Sequence, residues 1–310
     1  ALGEDGVRAF AAEYRDAAAD LARLTTALGG RESDDAFRLG RLVSEGHNLL
    51  YRRETNAPRT AFHYVLRTLP REVRRAWRPI ALAALLLFGP MLTSAVVVAR
   101  RPALATEFLS AGMRDRAAGS VARARAHTGY IADPAADRPI MSSGIIANNV
   151  QVTYLAFAAG ITAGVGTVLA LVVNGVDIGG LFGLYHSLGT LPLLLAFVAP
   201  HGVLELTAIA VGGGAGFLLA AGVLLPGART RREAIATNAR HAIHLVVFAT
   251  LLLLVAGTLE GLVSPIPTWP LGAKLAVSGA TAAFLAAWLS LGGAPAAPRD
   301  GGTATARRAP

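Results

Sequence analysis

The sequence predicts an all-α, polytopic membrane helical bundle of about six transmembrane or re-entrant helices, preceded by a cytoplasmic amphipathic helical region. Three observations predict it. Hydrophobic residues make up 53% of the 310 residues, and the mean hydropathy is +0.48, which several bilayer spans explain better than soluble cores do. The apolar residues gather in runs of about twenty, the length a helix needs to cross a bilayer. Arginines cluster over 67–78 and 229–240, where flanking positive charge sets the orientation of spans.

The net charge of +9 comes almost wholly from arginine, with Lys274 the single lysine. In a membrane chain such charge reads as topology, so no nucleic-acid partner is expected. There is no cysteine, which excludes disulfides and thiolate metal sites. The bias to Ala, Gly and Arg points to a GC-rich bacterial genome. The first residues are acidic and lack a basic start before an apolar run, so no cleavable signal is expected at this end.

From Phe10 the apolar positions Tyr14, Leu21, Leu24 and Leu28 keep a helical period that stops at Gly29-Gly30. A second amphipathic run follows Ser33-Asp34, with Leu39, Leu42, Val43, Leu49 and Leu50 on its apolar side. Residues 1–57 therefore read as a cytoplasmic helical hairpin. Over 58–78 the stripe Phe62, Val65, Leu69, Val73 and Trp77 is interleaved with Arg67, Arg71, Arg74, Arg75 and Arg78. That pattern predicts a basic amphipathic helix on an anionic membrane surface.

The membrane domain is read as 79–291. Its first span, 79–99, leads to a polar external loop over 100–147. That loop carries Arg100, Arg101, Arg114, Arg116, Arg123 and Arg125 against the positive-inside rule, an objection softened by its length. Further runs cover 149–173, 181–199, 202–225, 241–259 and 271–291. Pro192 and nearby glycines allow the run at 181–199 to be re-entrant. An even count places both termini in the cytoplasm of a multi-pass cell-membrane protein, and 292–310 reads as a disordered cytoplasmic tail. Gly160 with Gly164 and Gly212 with Gly216 are spaced for close helix packing, which also makes a homodimer an expectation.

Chemistry concentrates at Pro200-His201-Gly202-Val203-Leu204-Glu205. Ionisable residues inside apolar spans mark candidate functional sites, and His201 and Glu205, four apart on a helix, share a face. In a six-span arrangement Asn149, His201, Glu205 and Glu260 reach similar depth near the external boundary, with Glu205 about one turn into its helix. The cluster reads either as a packing lock or as a proton-linked or ligand-binding site. His201 and Glu205 fall short of the three protein ligands a zinc site uses, and Ser142-Ser143-Gly144 lacks the glycine that precedes a nucleophile elbow. No catalytic residue, metal or cofactor is therefore assigned. His186 reads as a packing residue.

Asn148-Asn149 before a glycine-bearing span, Asn174-Gly175 at its end, Pro200-His201-Gly202 with Glu205, the glycines after it, and Glu260 before Ser264-Pro265 together resemble the stage II sporulation protein M family. The resemblance implies an integral membrane scaffold acting with cell-wall-remodelling partners, and the arginine-rich composition is similar to actinobacterial members. The alternatives the residues leave open are a transporter or channel for a small ion, proton or lipid, lined by His201, Glu205 and Glu260, and an intramembrane enzyme with Glu205 as acid or base.

Overall fold

The computed structural model describes residues 4–27, 29, 33–51, 57–130, 134–266 and 268–293. It is helical, with no strand among the described residues, and divides into two compact units, 1–61 and 62–310. The first unit is a hairpin of α1 (Glu4–Ala27) and α2 (Asp34–Tyr51). Gly46 lies against Tyr14 and Gly40 against Leu21, so the helices run antiparallel, and Tyr14 Oη meets His47 Nδ1 at 3.0 Å. Outside this seam Phe37, Leu42 and Leu49 are exposed. Leu28 and Gly30, used in the sequence reading, lie outside the described residues, as does most of the tail read as disordered.

The basic segment is helical from Ala57 to Arg75, with a π-turn inside it. It consists of α3 (Ala57–His63), the π-turn over Tyr64–Thr68 and α4 (Leu69–Arg75), and a break at Ala76 precedes α5 (Trp77–Arg100). Within the second unit Leu69 and Val73 are buried, Tyr64 Oη meets His244 Nδ1 at 2.6 Å, and Glu72 pairs with His241 at 2.8 Å. Arg71 Nε donates to the Gly293 carbonyl at 2.6 Å, and Arg74 donates to the Leu289 carbonyl. Two of the five arginines expected at lipid headgroups thus satisfy carbonyls at a helix C-terminus, where four acceptors lack intrahelical partners.

After α5 come α6 (Ala105–Phe108) and α7 (Ala111–Arg125), then α8 (Pro134–Ala158), α9 (Val165–Ser187), α10 (Leu191–Leu224), α11 (Arg231–Leu262) and α12 (Leu271–Leu291). Among the described residues five helices, α5, α9, α10, α11 and α12, are long and apolar enough to cross a membrane. The 25-residue α8 has comparable length, with Asn148, Asn149 and Gln151 interrupting its apolar run. It begins at Pro134, inside the segment read as a loop.

The breaks differ from the sequence reading in two places. The run 149–173 is cut at Ala159–Gly164, where Ala163 (φ 55°) and Gly164 (φ 86°) turn the backbone through the left-handed region and Thr162 Oγ1 accepts from the Gly166 amide at 3.0 Å. Further on, α9 ends at Ser187, the chain turns at Gly189, whose φ is 69°, and the Thr190 amide donates back to Tyr185 O at 2.9 Å. Pro192 then occupies the first turn of α10, where a missing amide costs nothing. Consequently α10 runs unbroken through Pro200 for 34 residues.

The core is organised on α10: 67% of its most apolar stretch is buried, against 11% for α12. One end of the bundle holds α4, the start of α5, the α8–α9 turn, the end of α10, the start of α11 and the end of α12. There Ile80 packs on Gly214, Ala220 on Gly164, Ile235 on Gly222 and Pro70 on Gly292. The opposite end holds α6, α7, the α9–α10 turn and the α11–α12 loop, joined by Ser120 Oγ to Thr190 Oγ1 at 2.6 Å.

Candidate functional site

Glycines bring the helices close enough to form a dry interior. On α9, Gly175, Gly179 and Gly183 face the carbonyls of Leu87, Met91 and Ala95 on α5 so closely that a Cβ would overlap them. Gly160 rests on the Gly216 backbone, Gly212 on Thr153, and Gly216 on Ala156 and Thr167. Three of the four glycines expected at helix contacts thus meet backbone or β-branched neighbours, while Gly164 supplies a left-handed turn. The Gly175-Gly179-Gly183 stripe was missed, although its spacing of four is visible in the sequence.

Into this interior α8, α10 and α11 project the polar residues singled out from the sequence. Asn149 and Glu205 are each 8% exposed, His201 is 2% and Glu260 is 0%. The Asn149 side chain lies beside the Glu205 carboxylate. His201 Nε2 stands 3.7 Å from Glu205 Oε2, an electrostatic contact beyond hydrogen-bond length, and the Glu205 and Glu260 carboxylates lie close enough to repel one another. The four residues therefore come together. They lie deeper than the sequence suggested, because Glu205 follows Leu191 by about 21 Å of helix at 1.5 Å per residue, not by one turn.

On its other face His201 Nδ1 meets Ser264 Oγ at 2.8 Å, and Phe197 presents an edge-on ring with centroids 5.5 Å apart. If the Ser264 hydroxyl donates to Nδ1, the neutral imidazole aims its Nε2–H at Glu205. Lys274, 3% exposed, donates to the Ser264 carbonyl at 2.7 Å. A polar track thus runs Lys274, Ser264, His201, Glu205. Ser264 and Lys274 were not assigned to the cluster from sequence. Lys274 could have been flagged as the one lysine in a chain that otherwise uses arginine, while nothing in the spacing marks Ser264. His186, expected in packing, is exposed in the last turn of α9.

Glu260 is the anomaly. Both of its carboxylate oxygens are buried without a hydrogen-bond partner among the described residues, although buried charges are normally paired. Among the described residues no group of three His, Asp or Glu side chains is placed to hold a metal ion.

Residues 82–265 match the family model described as stage II sporulation protein M, a region that holds Asn149, His201, Glu205, Glu260 and Ser264 and stops short of Lys274. The chain is also similar to an uncharacterized protein of Methanocaldococcus jannaschii, 36% identical over 74 residues. That match covers 24% of this chain and 42% of the relative. No solved structure matches.

Proposed function

Since the chain belongs to the stage II sporulation protein M family, a multi-pass membrane class, we propose that it is an integral membrane scaffold that organises partner proteins in cell-envelope or peptidoglycan remodelling. The observation that carries this reading is the compact two-helix unit ahead of the membrane bundle. Leu42 and Leu49, 61% and 67% exposed, stand two turns apart on one face of α2, a spacing suited to a helix or groove of a partner. Arginines of α4 and of the α10–α11 loop share one end of the bundle, which supports placing that end, both termini and the hairpin in the cytoplasm. Site-specific photo-crosslinking from position 42 in cells tests the reading. Adducts to cell-wall-remodelling proteins that disappear on Leu49→Asp are expected. An unchanged envelope and no such adducts, with the hairpin still helical, would refute it.

A second reading, a proton or small-ion transporter, is favoured by the unpartnered Glu260 carboxylate beside Glu205. Intramembrane carboxylates of this kind recur on ion pathways. Proteoliposomes should then show a flux that Glu260→Gln abolishes without unfolding the protein. Wild-type flux no greater than that of empty liposomes, or flux unchanged in Glu260→Gln, would dismiss it.

A further inference from the structure

A cavity of about 100 Å³ opens at the α7 end of the bundle, between the segment after α7, the first turns of α10 and the α11–α12 loop. Its wall includes Thr128, Tyr130, Phe197, Ser264, Trp269 and Lys274. Tyr130 stacks on Phe197 with ring centroids 4.4 Å apart, so one side is a fixed aromatic surface. The other side is Lys274, whose ammonium is buried yet forms no ion pair with any carboxylate of the described residues. Of its three N–H donors one goes to the Ser264 carbonyl.

We infer that this cavity is a binding site for a small oxyanion, a carboxylate or phosphate group held by Lys274 with the Thr128 hydroxyl beside it, while the Ser264 hydroxyl stays with His201. A buried cation without a counter-ion is the arrangement that an anionic ligand completes. Glu205 and Glu260 are not among the residues that line the cavity, so they do not bar an anion from it. The surrounding field is favourable: α7, which leads into the wall, carries Arg114, Arg116, Arg123 and Arg125 against Asp115, and clustered positive charge raises the local concentration of anions. The volume is that of about three water molecules, room for the charged group itself, with any apolar remainder passing the aromatic wall toward the opening. The same oxyanion chemistry is supplied by a free small anion and by the phosphate of a lipid headgroup. This site is independent of the scaffold and transport readings.

The test uses the full chain in detergent, titrated with sodium phosphate and sodium acetate against sodium chloride at equal ionic strength. Tryptophan emission is the readout. Trp269 lines the cavity, whereas Trp77 and Trp288 lie toward the opposite end. Saturable binding that weakens by about tenfold or more in Lys274→Met and persists in Lys274→Arg is the expected result, with Thr128→Val as a milder variant should Lys274→Met fold poorly. Native mass spectrometry of protein extracted from phosphatidylglycerol nanodiscs separates the sources: retained lipid lost in Lys274→Met, without a response to the salts, identifies a headgroup site. Wild type that answers phosphate and acetate no more than chloride and retains no lipid overturns the inference. So does binding unchanged in both Lys274→Met and Thr128→Val, and Lys274 is then a remote counter-charge to the carboxylates.

Discussion

Gly179→Ala adds a methyl group where α5 already lies. The new Cβ would overlap the Met91 carbonyl oxygen and Ser94 Oγ, and it would stand 2.6 Å from the Met91 carbonyl carbon, where ordinary contact begins at 3.4 Å. The obstructing atoms are mainly backbone, so no rotamer change relieves them, and the helix axes must separate by roughly an ångström. Because α9 is rigid on this scale, Gly175 and Gly183, one turn away on either side, lose part of their contact with α5 as well. Overpacking of this kind costs about 1–3 kcal/mol, and the backbone origin puts Gly179 at the upper end. Alanine's better helix propensity offsets about 1 kcal/mol, leaving a net loss of about 2 kcal/mol. The control is Gly89→Ala, in the partner helix, where nothing lies within 4 Å of the added Cβ and only the propensity gain remains. Thermal unfolding followed by circular dichroism in one detergent should move the two variants in opposite directions. If Gly179→Ala melts with or above Gly89→Ala, the α5–α9 contact is not what the glycine stripe sustains.

Other substitutions probe separate features. Glu260→Leu removes an unpartnered buried carboxylate and should raise the unfolding temperature by the equivalent of about 1–4 kcal/mol; a lower one would mean that Glu260 has a partner in the membrane. Ser264→Ala strips His201 of its Nδ1 contact and should cost about 1 kcal/mol, which Ser264→Thr restores in the same melt; equal melting of all three would remove Ser264 from the site. Thr230 and Glu233 form a reciprocal capping box at the start of α11, so Thr230→Ala should lower stability by about 1 kcal/mol, and hydrogen exchange in the first turn of α11 should show the loss locally. At the α4 end, burial first and the Glu72 carboxylate second push the Tyr64 hydroxyl above its usual 10.0. A raised value in the folded state favours folding below pH 10 and fades as pH climbs through it. Alkaline titration by ultraviolet absorbance should therefore count one late-ionising tyrosine fewer in Tyr64→Phe than in wild type, and an unchanged count would refute the assignment.

The helical membrane class was legible because apolar runs and arginine clusters report directly on bilayer chemistry. The polar cluster was legible for the same reason, since Asn149, His201, Glu205 and Glu260 stand out against apolar neighbours. Helix ends were harder. Pro200 looked like a terminator, but a proline inside a long buried helix is tolerated where neighbouring groups satisfy the freed carbonyl. The true boundary was written as Gly189 followed by Pro192, a C-terminal glycine and a first-turn proline. The helix α8 was obscured because its first half is polar. Arg71 and Arg74 could not be told from lipid-facing arginines, because a phosphate oxygen and an orphan helix carbonyl are both simply acceptors. Ser264 was legible only as part of the Ser264-Pro265 pair in the family resemblance, and its place beside His201 was not, since that partner is 63 residues away.

The glycines of α10 also fix an angle. Successive helical positions are about 100° apart, and Gly212, Gly213, Gly214 and Gly216 turn in succession toward Thr153 of α8, Leu171 of α9 with Ala83 of α5, Ile80 of α5, and Ala156 with Thr167. Seven residues earlier, nearly two full turns, Glu205 points toward Asn149 of α8. The acidic site and the glycine cogs therefore share one rotational phase, and the residues between them work as a shaft of fixed length. Inserting a single alanine after Leu206 would leave composition and hydropathy almost untouched, yet it would turn the carboxylate about a quarter of a revolution away from its neighbours or unseat every cog. Such a lesion is invisible to any measure of amino-acid content, and it makes 205–212 a stretch whose length is fixed as firmly as its composition.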